Sequence, residues 1–228
     1  MTKTIHVLNP SSRTDTGITE ELARSLAWLS GPDMPRIECR TLTDGPNGIA
    51  NSVDSDRAAP AIFDFIKAHA DDADAAAFVV ACFSDPGVHA ARELTSKPVI
   101  GIGEAGLTLA LSLGERLGTI GVSAGQEGKN RRFVRRTGFA DRYAGHRSLG
   151  LDYADLQHPD RVSTRLAEAA RDLRDQDAAD VIVFAGAGLA RYVDAVRADT
   201  GLPVVDPTLA AVLSALGGVA WAGMGIWR

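Results

Sequence analysis

An internal repeat constrains the fold of this chain more than any other feature. The segment AAFVVACFSDPG at residues 76–87 leads through a helical stretch to KPVIGIGEAGLTLALSLG at 97–114. About 104 positions later, DVIVFAGAGLA at 180–190 leads in the same way to LPVVDPTLAAVLSALG at 202–217. Short apolar runs that alternate with helical stretches are typical of parallel β-sheets with helical crossovers. The repeat therefore predicts two similar α/β lobes, and where the first strand of each copy ends, one copy carries Cys82 and the other Gly186.

The remaining apolar runs and helical periodicities complete both lobes. Strands are predicted at residues 3–8, 37–41, 77–81, 98–100, 118–122, 146–150, 180–184 and 203–205, and helices at 17–29, 57–69, 88–94, 105–113, 129–137, 159–176 and 189–199. The polar segment 43–57 is predicted to be a surface or lid loop. The first lobe is expected to comprise residues 1–100 plus a returning tail, 208–228, and the second lobe residues 101–207.

The functional site is expected at the carboxyl ends of the strands, because open parallel sheets bind their ligands there. Asn9, Cys82, Ser123 and Gly186 all follow predicted strands at that point. The sequence therefore predicts a substrate cleft between the two lobes, lined by these four loops.

Charge excludes some classes of partner. The net charge of −5 gives no electrostatic reason to expect binding to nucleic acid or to an anionic membrane. One basic cluster, formed by residues 129–132 (KNRR) and 135–136 (RR), is interpreted as a solvated helix face in preference to a binding patch. We therefore expect a small-molecule substrate.

The compartment and assembly are predicted from the cysteines and from both ends of the chain. Two cysteines do not make a disulfide framework, and the first residues lack the pattern of a secretory signal, so we expect a cytoplasmic protein. The uncharged segment 208–227 is long enough to cross a bilayer, but glycines interrupt it and its first half matches the helix after residue 104. It is predicted to be a buried helix followed by a terminal strand or tail, whose Trp221 and Trp227 suit a homo-oligomer interface.

Cys82 is the main candidate for chemistry. It follows a buried strand and precedes the turn FSDPG at 83–87, which leads to a helix N-terminus where backbone N–H groups and the helix dipole stabilise a thiolate. Such a thiolate acts as a proton-transfer base or as a nucleophile. The alternative is a small buried apolar side chain. Cys39, in the middle of a predicted strand, is interpreted as structural.

Other polar residues lie at the same strand ends. Asn9 and Ser11 can form hydrogen bonds at the mouth of the cleft, or an Asx turn that leads to a helix cap. Glu104 and Asp206 can act as acid, base or orienting group, or cap the helices that follow them. The five histidines have no metal-ligand spacing, so we expect no metal site.

The segment GIGEAG at 101–106 matches the dinucleotide-binding fingerprint. However, the second copy has DPT at the corresponding loop, 206–208, and no acidic residue ends the next strand. We therefore expect no dinucleotide cofactor.

Together these motifs resemble the aspartate/glutamate/hydantoin racemase superfamily, and most of all its hydantoin and allantoin racemase branch. The resemblance covers almost the whole chain and is carried by NPSS after the first strand, ACFSDPG followed by HAARE, PVIGIGEA, and a second half ending in PVVD. It implies two flavodoxin-like lobes related by a pseudo-twofold axis, with neither cofactor nor metal. It also implies one cysteine from each lobe on opposite faces of the substrate carbon, so that one thiolate removes a proton and the other thiol delivers one.

By this resemblance Cys82 takes the place of the first cysteine, while the second, expected in a GCAG motif, is replaced by Gly186. The candidate substrate-binding residues are Asn9, Ser11, Phe83, Ser84, Ser123, Gly186 and Ala187, with Glu104 and Asp206 as candidates for a second acid or base. We expect a one-thiol enzyme that performs isomerisation, decarboxylation or addition and elimination on a small carboxylate or hydantoin-like ring. Two alternatives stay open: a hydantoin-type racemase with a second base other than cysteine, and a ligand-binding module without catalysis.

Overall fold

The computed structural model describes residues 3–152 and 155–224, and within them the chain divides into two compact units. Unit 1 is formed by the described parts of Met1–Ala105 and Thr208–Arg228, and unit 2 by those of Gly106–Pro207. Each unit holds one four-stranded sheet.

Strands and helices alternate along the described chain. The strands are β1 (Thr4–Asn9), β2 (Arg36–Thr41), β3 (Ala75–Val80), β4 (Val99–Gly101), β5 (Leu117–Gly121), β6 (Tyr143–Ser148), β7 (Val181–Phe184) and β8 (Val204–Val205). The helices are α1 (Ile18–Leu26), α2 (Ser52–His69), α3 (Val88–Ala91), α4 (Ile102–Ala110), α5 (Glu127–Arg136), α6 (Pro159–Asp175), α7 (Val193–Thr200) and α8 (Pro207–Gly223). Each predicted strand and helix overlaps an observed one.

The sheet of unit 1 has the strand order β2-β1-β3-β4, and all of its neighbouring strands are parallel. This is the flavodoxin-like order, in which the strand order reverses between the first and third strands. Val7 of β1 lies opposite Val79 of β3 in the ladder. The carboxyl ends of β1 and β3 therefore flank the point at which such sheets bind ligands.

The sheet of unit 2 repeats this topology. Its order is β6-β5-β7-β8, again fully parallel, and Thr119 of β5 lies opposite Val183 of β7. The carboxyl ends of β5 and β7 therefore flank the corresponding reversal point. The predicted α/β class with two flavodoxin-like parallel sheets is confirmed.

The position of each strand explains its composition. All six residues of β3 (AAAFVV) are buried, as expected for an inner strand of a parallel sheet that is covered on both faces. The edge strand β2 instead exposes Arg36 and Arg40. Charged residues on an edge strand oppose pairing with another chain.

The predicted loop over residues 43–57 is wrong in its second half, because α2 begins at Ser52. Asn51 caps this helix: its Oδ1 accepts a hydrogen bond of 3.0 Å from the N–H of Asp54. The Asp54 carboxylate in turn accepts one of 3.3 Å from the N–H of Asn51. This reciprocal capping box satisfies two N–H groups that have no partner within the helix.

The uncharged C-terminal segment forms α8, with Thr208 and Ala211 buried and Leu213 and Trp221 exposed. Trp227 and the predicted terminal strand or tail after residue 224 lie outside the described residues. Within the ranges that the structure describes, every helix is too short or too polar to cross a membrane.

Candidate active site

Two candidate residues flank the strand-order reversal in unit 1. Asn9 is the last residue of β1, and Cys82 lies two positions after the end of β3. Because β1 and β3 are parallel neighbours, both residues belong to the same edge of the sheet. The thiol of Cys82 is half-buried, and neither Cys82 nor Cys39 forms a disulfide.

Serine hydroxyls accompany the thiol. The Sγ of Cys82 lies 3.3 Å from the Oγ of Ser84, which lies 2.9 Å from the Oγ of Ser55 in α2. A hydroxyl that donates to sulfur stabilises the thiolate over the thiol. The helix after the turn, α3, has only four residues, so its dipole contributes less than the sequence suggested.

Asp85 fixes the loop that carries Cys82, a role that no local sequence pattern indicates. Its backbone N–H donates to the carbonyl of Cys82 over 2.9 Å. Its carboxylate accepts hydrogen bonds of 2.8 Å from the N–H of Gly103 and 2.7 Å from the N–H of Glu104. Burial raises the pKa of this carboxyl to about 7, while the two N–H groups oppose that rise. The Cys82 loop is thereby anchored to the first turn of α4.

This anchor also explains the GIGEAG segment. A Cβ atom at Gly101 would overlap the carboxyl group of Asp85, so the position requires glycine. The first N–H groups of a helix are the ones that bind phosphate in dinucleotide sites. Here the Asp85 carboxylate accepts from two of them.

Asn9 is held by its own unit. Its Nδ2 donates to the Oγ1 of Thr19 over 3.1 Å, and its Oδ1 accepts from the N–H of Ser11 over 3.2 Å. The Thr19 hydroxyl also lies 2.6 Å from that of Thr41, at the end of β2. The bond from the N–H of Ser11 to the Oδ1 of Asn9 closes an Asx turn, which is one of the two roles predicted for these residues. Thr19 and Thr41 were not predicted, because their contact with Asn9 depends on tertiary packing.

Gly186 occupies the position in unit 2 that Cys82 occupies in unit 1. The N–H of Ala81 donates to the carbonyl of Leu8 over 2.8 Å, and the N–H of Ala185 donates to that of Ile120 over 2.7 Å. Cys82 directly follows Ala81, and Gly186 directly follows Ala185. A Cβ atom built on Gly186 meets no atom within 4 Å, and its backbone lies outside the left-handed region. The position therefore has space for a side chain.

The other predicted binding residues lie in the same loops. Phe83 is buried beside Cys82, Ala187 is half-buried beside Gly186, and Ser123 is half-buried two positions after β5. Ser11 is also half-buried, and its Oγ accepts from the N–H of Arg13 over 3.4 Å. Each of these residues thus lies at the carboxyl edge of its own sheet.

The two candidate carboxylates differ in their surroundings. Glu104, in the first turn of α4, forms a 2.8 Å ion pair with Arg92, and 38% of its side chain is exposed. Asp206 is buried and directly precedes Pro207, the first residue of α8. A residue immediately before a helix is in the N-cap position. Ion pairing for Glu104 and helix capping for Asp206 are therefore structural alternatives to acid–base chemistry.

Cys39 differs from Cys82 in its environment. It lies in the middle of β2, and burial together with the charge of Glu38 raises its pKa to about 11. It is therefore a neutral thiol near pH 7. Across residues 3–152 and 155–224, no three His, Cys, Asp or Glu side chains are grouped so as to hold a metal ion.

Comparison with known proteins extends over nearly the whole chain. The family model for Asp/Glu/Hydantoin racemase matches residues 5–215. A hydantoin racemase from Pseudomonas sp. (strain NS671) is 31% identical over 209 residues, which cover 91% of this chain and 82% of that protein. A hydantoin racemase from Rhizobium meliloti is 30% identical over 210 residues, 91% of this chain and 85% of that one.

A solved structure is likewise similar over nearly the whole chain. The allantoin racemase from Pseudomonas fluorescens superimposes with a TM-score of 0.86 at 26% identity, covering 98% of this chain and 92% of that chain. The similarity thus includes both sheets and the loops that follow them.

Proposed function

This chain belongs to the Asp/Glu/hydantoin racemase family, and from that membership we propose that it is a cofactor-independent enzyme whose single thiol, Cys82, performs the chemistry. The observation that carries the proposal is the matched position of Cys82 and Gly186 in the two sheets. A glycine has no side chain that could give or take a proton. The chemistry is therefore one-sided.

In the first mode of action, Cys82 is a base. Its thiolate takes the proton from a carbon next to a carbonyl group, the C–H electron pair moves into the carbonyl as an enolate, and the sulfur becomes a thiol. The Ser84 hydroxyl, 3.3 Å from the sulfur, stabilises the thiolate before the transfer. Backbone N–H groups of the loop, and the amide of Asn9, are suited to stabilise the enolate oxygen.

In the second mode, Cys82 is a nucleophile. The thiolate adds to a carbon–carbon double bond conjugated to a carbonyl group, and the π electron pair moves onto the carbonyl oxygen as an enolate. After rotation about the new single bond the pair returns, the C–S bond breaks, and the thiolate leaves with the electrons of that bond. Either mode needs a thiol held in a fixed loop, which the Asp85 anchor provides. The reaction is then an isomerisation, a decarboxylation, or an addition and elimination.

The substrate class follows from the relatives. They are named as hydantoin and allantoin racemases, so we propose a hydantoin-like ring or a small carboxylate for this chain. Both substrate types present a carbonyl oxygen next to the reacting carbon. The polar residues Asn9, Ser11, Ser84 and Ser123 offer the hydrogen-bonding groups that bind such oxygens.

A second candidate is a true racemase that uses Glu104 or Asp206 as the second acid or base. It is favoured by the racemase activity for which the relatives are named and by the burial of Asp206. The ion pair of Glu104 with Arg92 makes that residue the weaker of the two.

Hydrogen exchange separates these proposals. The enzyme is incubated in deuterated water with each enantiomer of a methyl-substituted hydantoin, with a phenylmalonate and with maleate, beside enzyme-free controls. One-thiol chemistry predicts deuterium uptake from one hydantoin enantiomer only, or loss of the malonate or maleate. Uptake from both enantiomers with racemisation would establish the two-base alternative, and no change in any substrate would refute the proposed substrate class.

For compartment and assembly, we propose a cytoplasmic homo-oligomer. The support is the presence of two cysteines outside any disulfide and the exposure of Trp221, which is 47% accessible on α8. Light scattering of the purified chain tests the assembly.

A further inference from the structure

Unit 2 contains a cavity that the proposed chemistry does not use. Its volume is about 510 Å³, and it lies between α5 and the edge strand β6. Its described lining residues include none from the loops that follow β5 and β7, where Ser123 and Gly186 lie. Cavities of 300–1,000 Å³ are the size that holds a small organic molecule.

The α5 side of this cavity is strongly basic. Five of the ten residues of α5 are Lys or Arg, in a protein whose net charge is −5. Arg131 and Arg135, one helical turn apart, both line the cavity. Like charges at this spacing repel each other and destabilise a helix, unless an anion lies between them.

These two arginines have no ion-pair partner among the described residues. In the described part of the chain, Arg147 pairs with Asp177 over 2.6 Å, whereas neither Arg131 nor Arg135 forms an ion pair. Glu127, on the same helix face, is the remaining carboxylate of the lining. The lining therefore carries a net positive charge at its α5 side and one carboxylate that can accept from a donor group.

Tyr143 and His146 of β6 also line the cavity, and both belong to a network of neutral hydrogen-bonding groups. The hydroxyls of Tyr143 and Thr119 lie 2.9 Å apart, and the Thr119 hydroxyl lies 2.9 Å from the Nδ1 of His146. Asn130 of α5 contacts the same imidazole, with its Nδ2 3.1 Å from Nε2. Burial lowers the pKa of His146 to about 4, so this imidazole is uncharged near pH 7. These hydrogen bonds hold the Tyr143 and His146 side chains at the cavity.

We propose that this cavity binds a small organic anion, with a phosphate or a pair of carboxylates held by Arg131 and Arg135. Guanidinium groups match the oxygens of both anion types through paired N–H donors. Glu127 accepts a hydrogen bond from a hydroxyl or amino group of the same molecule. The sequence alone favoured a solvated helix face for this cluster, because it could not show the cavity beside it.

Calorimetric titration at constant ionic strength tests the proposal. Glycerol 3-phosphate is the phosphate probe and citrate the carboxylate probe, each titrated into the purified full chain. Arg131→Ala/Arg135→Ala removes the two cavity arginines, and Arg132→Ala/Arg136→Ala removes the same charge at the same spacing from residues that do not line the cavity. We expect binding of one or both probes, weakened at least about tenfold in the first variant and less than about twofold in the second.

Binding of glycerol 3-phosphate identifies a phosphate as the group that the arginines hold, and binding of citrate identifies carboxylates. Absence of binding for both probes at millimolar concentration would overturn the proposal, as would equal weakening in the two double variants, which would indicate unspecific attraction by charge. Far-UV circular dichroism establishes that both variants are folded, and all four arginines are exposed.

Discussion

The Sγ of Cys82 lies 3.3 Å from the Oγ of Ser84. Ser84 therefore places a hydroxyl within hydrogen-bond distance of the proposed reactive atom, and this hydroxyl in turn lies 2.9 Å from the Oγ of Ser55. A hydroxyl can donate to only one acceptor at a time. The reactivity of the thiol thus depends on whether Ser84 donates to the sulfur or to Ser55.

Ser84→Ala should slow the alkylation of Cys82, because it removes the hydroxyl that stabilises the thiolate. We expect the rate with iodoacetamide near pH 7 to fall about three- to tenfold, the worth of one hydrogen bond. Ser55→Ala is the matched control, since it removes the competing acceptor, leaves Ser84 able to donate to the sulfur, and should not slow the alkylation. Equal rates in wild type and Ser84→Ala would show that the hydroxyl has no influence on the thiol.

Cys82→Ser should reduce kcat about a hundred- to ten-thousand-fold, the range that a positioned acid or base contributes. Cys39→Ser should leave kcat near the wild-type value, since Cys39 lies within β2 and burial keeps it in the thiol form. Turnover is measured with whichever substrate passes the exchange screen. Retention of full activity in Cys82→Ser would remove the thiol from the mechanism.

Asp85→Asn should destabilise the protein, because an amide cannot accept from both Gly103 and Glu104 through two oxygens. We expect the free energy of unfolding to fall by about 1–3 kcal/mol. Glu104→Gln removes only a partly exposed ion pair and should change the free energy of unfolding by less than about 1 kcal/mol. Urea denaturation measures both, and similar losses in the two variants would contradict the anchoring role of Asp85.

The fold was predictable because its information is local and repeated. The inner strand β3 is an uninterrupted apolar run, and its counterpart β7 repeats it, so both were found from the sequence. The edge strand β6 (YAGHRS) is polar, since one of its sides has no neighbouring strand. The strand predicted from the sequence therefore begins at His146, three residues after the observed start at Tyr143. The start of α2 could have been found, because Asn51 and Asp54 have the spacing of a capping box.

The site was only partly predictable. Cys82 and Asn9 were found because they follow strands of a parallel sheet. The partner of Asp85 lies 18 residues away in sequence, and that of Ser84 lies 29 residues away. Contacts at such separations depend on how the elements pack, and no local pattern records them.

His146 should make stability depend on pH in a defined direction. Its folded-state pKa, about 4, lies below the ordinary value of 6.5, so the unfolded chain takes up the proton first as pH falls. This contribution to stability is complete above pH 6.5 and is lost between that pH and about 4, by about 3 kcal/mol at most. Glu127 raises this pKa and Arg147 lowers it, both less than burial does.

His146→Gln should therefore lose less stability than wild type between pH 7 and pH 4. The difference is measured by urea denaturation at a series of pH values, with the exposed His158→Gln as control. Parallel stability curves for wild type and His146→Gln would mean that His146 is as easily protonated in the folded as in the unfolded state.

Gly186→Cys should introduce a second thiol without loss of the fold. A Cβ atom at this position meets nothing within 4 Å, and the backbone conformation is one that other residues adopt. The reaction implied by the family resemblance needs one thiol that takes a proton and one that delivers it. We therefore expect this variant to gain racemisation of a hydantoin, with deuterium uptake from both enantiomers.

Gly186→Ala adds the same Cβ without the thiol and should retain the wild-type exchange pattern. If Gly186→Cys is folded and still exchanges from one enantiomer only, the missing thiol is not what makes the chemistry one-sided, and the pairing of Cys82 with position 186 loses its mechanistic meaning.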